Sequence, residues 1–291
     1  MPWQIAIGLA IVANVATSLV QRRYAQKSVL PASWPAFMSY FFGVMPLGII
    51  VGLVLPHHVH WSWWLGLLLF IEGTAMCLYN WIAFKAVKQL PVASYQTIYQ
   101  TYAIVVIALG WTLLGEVLTG NQLFGAALLL IAALLAIYAP AKKISSAGLM
   151  TRKRAVLLTF LAAVFLGIGL VTEKAALGHM TVGAYLIFGY GVQTLALLLL
   201  AAVHAKSALH KLTGSEFKWS AIMGLANGIT GVFYVIAIFN SDNISLMTAI
   251  GALTLPLLAI AAHFVLHERE NPKLLWSGVF LAFAGLLVLA F

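Results

Sequence analysis

Charge is what this chain has least of. Asp, Glu, Lys and Arg make up 8% of its 291 residues, and only seven residues are acidic. Soluble domains carry roughly 25% charged residues, so a globule of this length would lack the polar surface to cover itself. A water-soluble fold is excluded, and so is a disordered chain, because apolar segments run from one end to the other. The single Cys77 excludes an intramolecular disulfide and leaves the redox compartment open. No nucleotide-binding loop and no Ser-His-Asp signature stands out. The opening Met1-Pro2-Trp3-Gln4 has no basic region of the kind that begins a signal peptide.

Hydrophobic residues, by contrast, reach 63%. A membrane helix needs about 20 mostly apolar residues. Breaks at Pro, Gly and charge clusters give ten such spans, near 3–21, 33–55, 62–86, 92–114, 120–139, 154–174, 181–203, 218–239, 245–266 and 273–291. The expected fold is therefore an all-α, polytopic membrane protein of ten transmembrane helices. Fifteen of the sixteen Lys and Arg fall on the side reached by odd-numbered spans, leaving Lys174 opposite. By the positive-inside rule that side is cytoplasmic, which puts both termini outside. The formal charge of +9 then reports orientation, and no nucleic-acid partner is implied. The expected setting is a lipid bilayer, taken as the bacterial inner (plasma) membrane.

A basic loop divides the chain into a first five-span unit at 1–140, a connecting segment at 141–153 and a second five-span unit at 154–291. An odd number of spans per unit makes two related units inverted repeats. The internal match is faint. Aligning Leu90–Glu116 with Asp242–Glu268 without a gap pairs Ile98 with Ile250, Leu114 with Leu266 and Glu116 with Glu268.

Leu114-Gly115-Glu116-Val117-Leu118-Thr119, followed by Gln122 and Gly125, carries a family resemblance. It is similar to the "G-E-x-L-T…Q…G" element of the drug/metabolite transporter superfamily, in particular its ten-helix EamA-like members. The second copy, His267-Glu268-Arg269-Glu270, keeps only the Glu, and Pro256 stands where such helices often carry a proline. The resemblance implies a five-plus-five fold and a transporter rather than an enzyme. Outside termini depart from the cytoplasmic termini usual among ten-helix relatives. Glu116 and Glu268 lie near helix ends, where a carboxylate suits a capping or dipole role.

Only Glu72 among the acidic residues sits mid-span. An ionised side chain at the bilayer centre costs roughly 2.5–3.5 kcal/mol, so such a residue persists only if wet, paired or protonated. Met76 and Tyr79 follow at i+4 and i+7 on the same expected face, with Asn80 close by. Span four adds Gln96, Tyr99 and Gln100 from a Tyr-Gln-Thr near-repeat. Asn227, Thr230 and Tyr234 form a stripe on span eight, and Asn14 with Ser18 a smaller one on span one. Lipid cannot satisfy these amides and hydroxyls, so they face protein or water, either as packing bonds or as a binding surface.

Other features read as structural. His57, His58 and His60 lie in a short loop without nearby carboxylate or Cys, a poor metal site. Trp61, Trp63 and Trp64 suit an interfacial belt. Glu173 beside Lys174 reads as an interfacial charge pair, and Gly224, Gly228 and Gly231 as points of close helix approach.

The function expected is secondary active transport of a small organic metabolite by alternating access between inverted halves. Glu72 would exchange a proton or meet the substrate, with Tyr79, Trp81 and Tyr99 available to an organic ammonium. No basic residue stands at midplane, which favours a cationic or zwitterionic substrate, of amino acid or amine type, over an anionic one. A neutral sugar or nucleoside carrier is the alternative within transport; a membrane enzyme or structural subunit is the alternative outside it. No cofactor or metal is expected.

Overall fold

Why this chain becomes helices and nothing else follows from its solvent. In hydrocarbon every backbone N–H and C=O must be satisfied internally, and an apolar chain of this length does that by helices. The computed structural model describes residues 2–113, 115, 120–138, 152–203, 205–241, 247, 251, 253–266 and 272–290. The Glu116 and Glu268 elements and most of the basic connecting loop lie outside the described residues.

Among the described residues the helices are α1 (Trp3–Lys27), α2 (Ser33–Val54), α3 (Trp63–Val87), α4 (Val92–Leu113) and α5 (Gly120–Tyr138) in the first half. The second half has α6 (Arg152–Leu177), α7 (Val182–Ala202), α8 (Gly214–Asn240), α9 (Thr254–Leu266) and α10 (Pro272–Ala290). Seven are long and apolar enough to cross a membrane by length and composition, while Leu123–Leu135, Thr254–Leu266 and Trp276–Gly285 are shorter apolar stretches within α5, α9 and α10. A five-residue helical turn, Ala205–Leu209, precedes α8.

Local chemistry sets the boundaries. Ser62 caps α3 by accepting from Leu65 N–H at 3.1 Å. Thr213 caps α8 by accepting from Glu216 N–H at 3.4 Å. In a capping box the Glu216 carboxylate would return to the cap. Here it takes Ser28 Oγ at 3.0 Å and Val29 N–H at 3.3 Å, tying the turn after α1 to the start of α8. Helix α1 runs past its expected end at residue 21 to Lys27, so Arg22 lies inside the helix and is buried, donating to Val87 O.

Among the described residues three spans expected as continuous helices are not regular, and one of them, α9, ends in a π-helical turn at Ala262–Leu266. Helix α2 holds a π-helical turn at Tyr40–Val44. Helix α4 breaks into Val92–Tyr99 and Tyr102–Leu113. Across that break Ala103 N–H donates to Gln100 O and Ile104 N–H to Thr101 O, both at 3.0 Å, the tighter i→i+3 pattern. Thr101 Oγ1 satisfies Ile98 O at 2.8 Å. In the second half a helix begins at Thr254, the position that the gapless alignment pairs with Tyr102.

Helix α1 packs along α8, α3 along α6, α2 along α7, and α5 along α10. Exchanging the two halves leaves this pattern unchanged. The tightest crossing is α2 on α8, where a Cβ on Gly43 would strike the backbone of Gly224 and a Cβ on Gly224 would strike Ser39 O. Gly224 is thus a point of backbone contact, as its small size suggests. At one end of the bundle the histidine loop pairs with the turn between α6 and α7. His60 N–H donates to His179 O at 2.9 Å and Thr181 N–H to His58 O at 3.0 Å. Trp61, Trp63 and Trp64 stand exposed beside it, as an interfacial belt requires.

Candidate functional site

Between the halves lies a cavity of about 900 Å³, part of it open to the surroundings. Asn14, Tyr79, Gln96, Tyr99, Gln100, Asn227 and Tyr234 all line it. Polar stripes on α1, α3, α4 and α8 therefore converge, which spacing alone could not establish. The break in α4 falls at Gln100, itself one of the lining residues. Discontinuous helices lining a cavity recur in transporter folds.

Aromatic rings dominate the wall. Tyr99 is stacked between Tyr79, at 5.8 Å and 26°, and Tyr95, at 5.5 Å and 18°, and it donates to Tyr79 Oη at 3.0 Å. Tyr40, Tyr102 and Tyr190 complete the lining from α2, α4 and α7. No Lys, Arg or His is among the described residues that line it.

Glu72 is placed otherwise than expected. It is fully buried but does not line the cavity, although Met76 and Tyr79 on the same helix do. Its Oε1 accepts from Tyr185 Oη at 2.9 Å and from Gln193 Nε2 at 2.5 Å, while Oε2 is buried without a hydrogen-bond partner. Gln193 and Tyr185 belong to α7, so Glu72 sits behind a wall, one side chain away from the cavity. Asn80 also misses the main cavity. It donates to Tyr40 Oη at 3.1 Å and to Met76 O at 2.8 Å, and lines a smaller adjoining space with Ser18 and Tyr95.

The carboxylate that does reach the cavity is Glu173. It is buried, and its Oε1 has no hydrogen-bond partner. The interfacial pair expected with Lys174 is not what forms. Lys174 Nζ turns away to Ile238 O at 2.8 Å and Ser241 O at 2.5 Å. Helix α6 continues to Leu177, beyond the expected end at 174, and that extension carries Glu173 inside. Tyr185 adjoins both carboxyls, which lie close enough to interact electrostatically. Trp81, expected near an ammonium in the cavity, instead lies under Lys85, with Nζ 3.6 Å from its ring centroid.

Residues 2–138 match the model of the EamA-like transporter family. The first half is EamA-like. The chain is an integral membrane protein, and its first half matches a transporter family, as the resemblance implied. A solved crystal structure resembles it with a TM-score of 0.64, covering 98% of this chain and 96% of its own at 17% identity, a likeness of fold alone. No curated protein matches.

Beyond the matched residues, Glu173, Tyr190 and Gln193 line the cavity without having been expected there. Gln193 had a usable signal: it is the only amide side chain in Val182–Ala202 and stands mid-helix. Like Glu72, a polar group at that depth must face protein or water. For Glu173 the signal was hidden, because a charge next to Lys174 at a helix end resembles an ordinary interfacial pair.

Proposed function

We propose that the chain is a secondary active transporter of small cationic or zwitterionic metabolites, of amino acid or amine type, working by alternating access. One observation carries this reading. The buried Glu173 lines a cavity with no basic side chain among its described lining residues, and one of its oxygens has no hydrogen-bond partner. A buried carboxyl oxygen left without a donor costs free energy, and an ammonium group supplies both the donor and the opposite charge. The surrounding tyrosines add cation–π attraction, each worth up to about 2 kcal/mol when desolvated. An anionic substrate would meet no counter-charge.

The two carboxyls divide the work. Glu173 meets the substrate, and Glu72, behind Tyr185 and Gln193, holds the exchangeable proton. Ionising both at once would place like charges side by side in a medium of low dielectric. Substrate and proton therefore compete for one negative charge, which is the basis of exchange. Two observations favour inverted repeats rocking about this site: helix pairing survives exchange of the halves, and α4 and α9 start a helical segment at aligned positions. The amides of Asn14, Gln96 and Asn227 favour a neutral sugar or nucleoside as the second reading.

Purified protein in liposomes under an imposed pH gradient tests this. A panel of labelled amines, amino acids, sugars and nucleosides is supplied. Accumulation of an amine or amino acid that is abolished by collapsing the gradient is expected. Accumulation of sugars or nucleosides alone would transfer the protein to the second reading.

On this reading both termini lie outside a bacterial inner membrane, with fifteen of the sixteen Lys and Arg in the cytoplasm. A cysteine introduced at Pro2 should be labelled from outside intact cells, and one introduced at Lys88 should not. The reverse pattern would invert the orientation.

A further inference from the structure

A second cavity opens on the basic side of the molecule. It lies between the ends of α1 and α3 and the starts of α2 and α6, with about 920 Å³ of empty space continuous with its surroundings. Lys85, Lys88 and Arg154 line it, against an apolar wall that includes Leu30, Phe84 and Leu158. No Asp or Glu is among the described residues that line it. Glu216, which holds Ser28 Oγ at 3.0 Å, is not one of them.

The cations are held rather than neutralised. Lys88 Nζ donates to Ser28 O at 2.9 Å, and Lys85 Nζ rests on the Trp81 ring. Neither a carbonyl nor a ring face removes the charge. Lys85 and Arg154 are near enough for their like charges to repel. The positive-inside rule asks only that basic residues lie on this side, and exposed Arg23 and Lys211 satisfy it without lining this cavity. Gathering three cations around one apolar hollow is a cost that orientation does not require and that an anion offsets.

We propose that this cavity binds a phosphoryl anion, supplied by the headgroup of an anionic phospholipid whose chain lies along the apolar wall. The donor chemistry fits. Arg154 offers a planar fork for two phosphate oxygens, and the lysines add point charges. Basic pockets between membrane helices take anionic headgroups by this means. A zwitterionic headgroup brings its own ammonium against Lys85 and Arg154 and is disfavoured. The site is separate from the central cavity and does not depend on which substrate is carried.

Thermal unfolding of the purified protein in neutral detergent tests it, with short-chain phosphatidylglycerol, short-chain phosphatidylcholine or inorganic phosphate added. A saturable rise of a few degrees in Tm is expected with phosphatidylglycerol. The rise should be lost in the double variant Lys85→Gln/Arg154→Gln and kept in Arg23→Gln/Lys211→Gln. Lys88→Gln, at an exposed position, should weaken the lipid's effect at least threefold in concentration and serves if the double variant fails to fold. An equal rise with inorganic phosphate alone would retain the phosphoryl site and overturn the lipid as its source. No rise, an equal rise with phosphatidylcholine, or a rise that survives the cavity substitutions would overturn the site itself.

Discussion

Binding of a cationic substrate is expected to weaken by roughly 10- to 100-fold in Glu173→Gln, since a hydrogen bond to a charged group contributes about 1.5–3 kcal/mol. The substitution is nearly isosteric and leaves the neighbouring Lys174 with its carbonyl partners Ile238 O and Ser241 O, so the helix should stay intact. What it removes is a carboxyl of the cavity lining, where tyrosines remain but no other acidic side chain is among the described lining residues. Equilibrium binding of labelled amine to purified protein measures the loss. The loss should be confined to cations and zwitterions. Affinity for an amine equal to that of the wild type would remove Glu173 from the substrate site. A parallel loss for a neutral sugar would point to a collapsed cavity instead.

How much of this was legible in the residues depends on the length scale of the signal. Helix existence was legible, because about 20 consecutive apolar residues have one solution in a bilayer. The stripes of Asn227 with Tyr234, and of Gln96 with Gln100, were legible too, since spacing fixes which residues share a helix face. Their meeting in one cavity was not, because it depends on how α1, α3, α4 and α8 cross. The π-helical turn at Tyr40–Val44 and the break after Tyr99 were likewise hidden, since neither Tyr40–Val44 nor Gln100-Thr101 contains a proline to mark it. The exchange of roles between Glu72 and Glu173 has a simple physical origin. Met76 and Tyr79 share the face of Glu72 and do line the cavity, so depth along α3 separates them rather than rotation. Glu72 lies one to two turns nearer the Trp63 end of α3, where Tyr185 and Gln193 of α7 meet it.

Glu72→Gln should therefore separate coupling from binding. The side chain keeps its size and an oxygen able to accept from Tyr185 and Gln193, so a folded, membrane-inserted protein is expected. It cannot release or take up a proton. In liposomes, accumulation against a gradient should be abolished, with labelled substrate only equilibrating across the membrane. Counterflow exchange should survive at a rate near that of the wild type, because Glu72 does not line the cavity and Glu173 still meets the substrate. This is the reverse of the Glu173→Gln outcome, where affinity falls first. Loss of exchange together with weakened binding in Glu72→Gln would mean that Glu72 touches substrate in some step of the cycle. Accumulation to the wild-type extent would end the coupling role. Glu72 would then be a protonated structural carboxyl joining α3 to α7, which the costs of an ionised side chain in hydrocarbon equally permit.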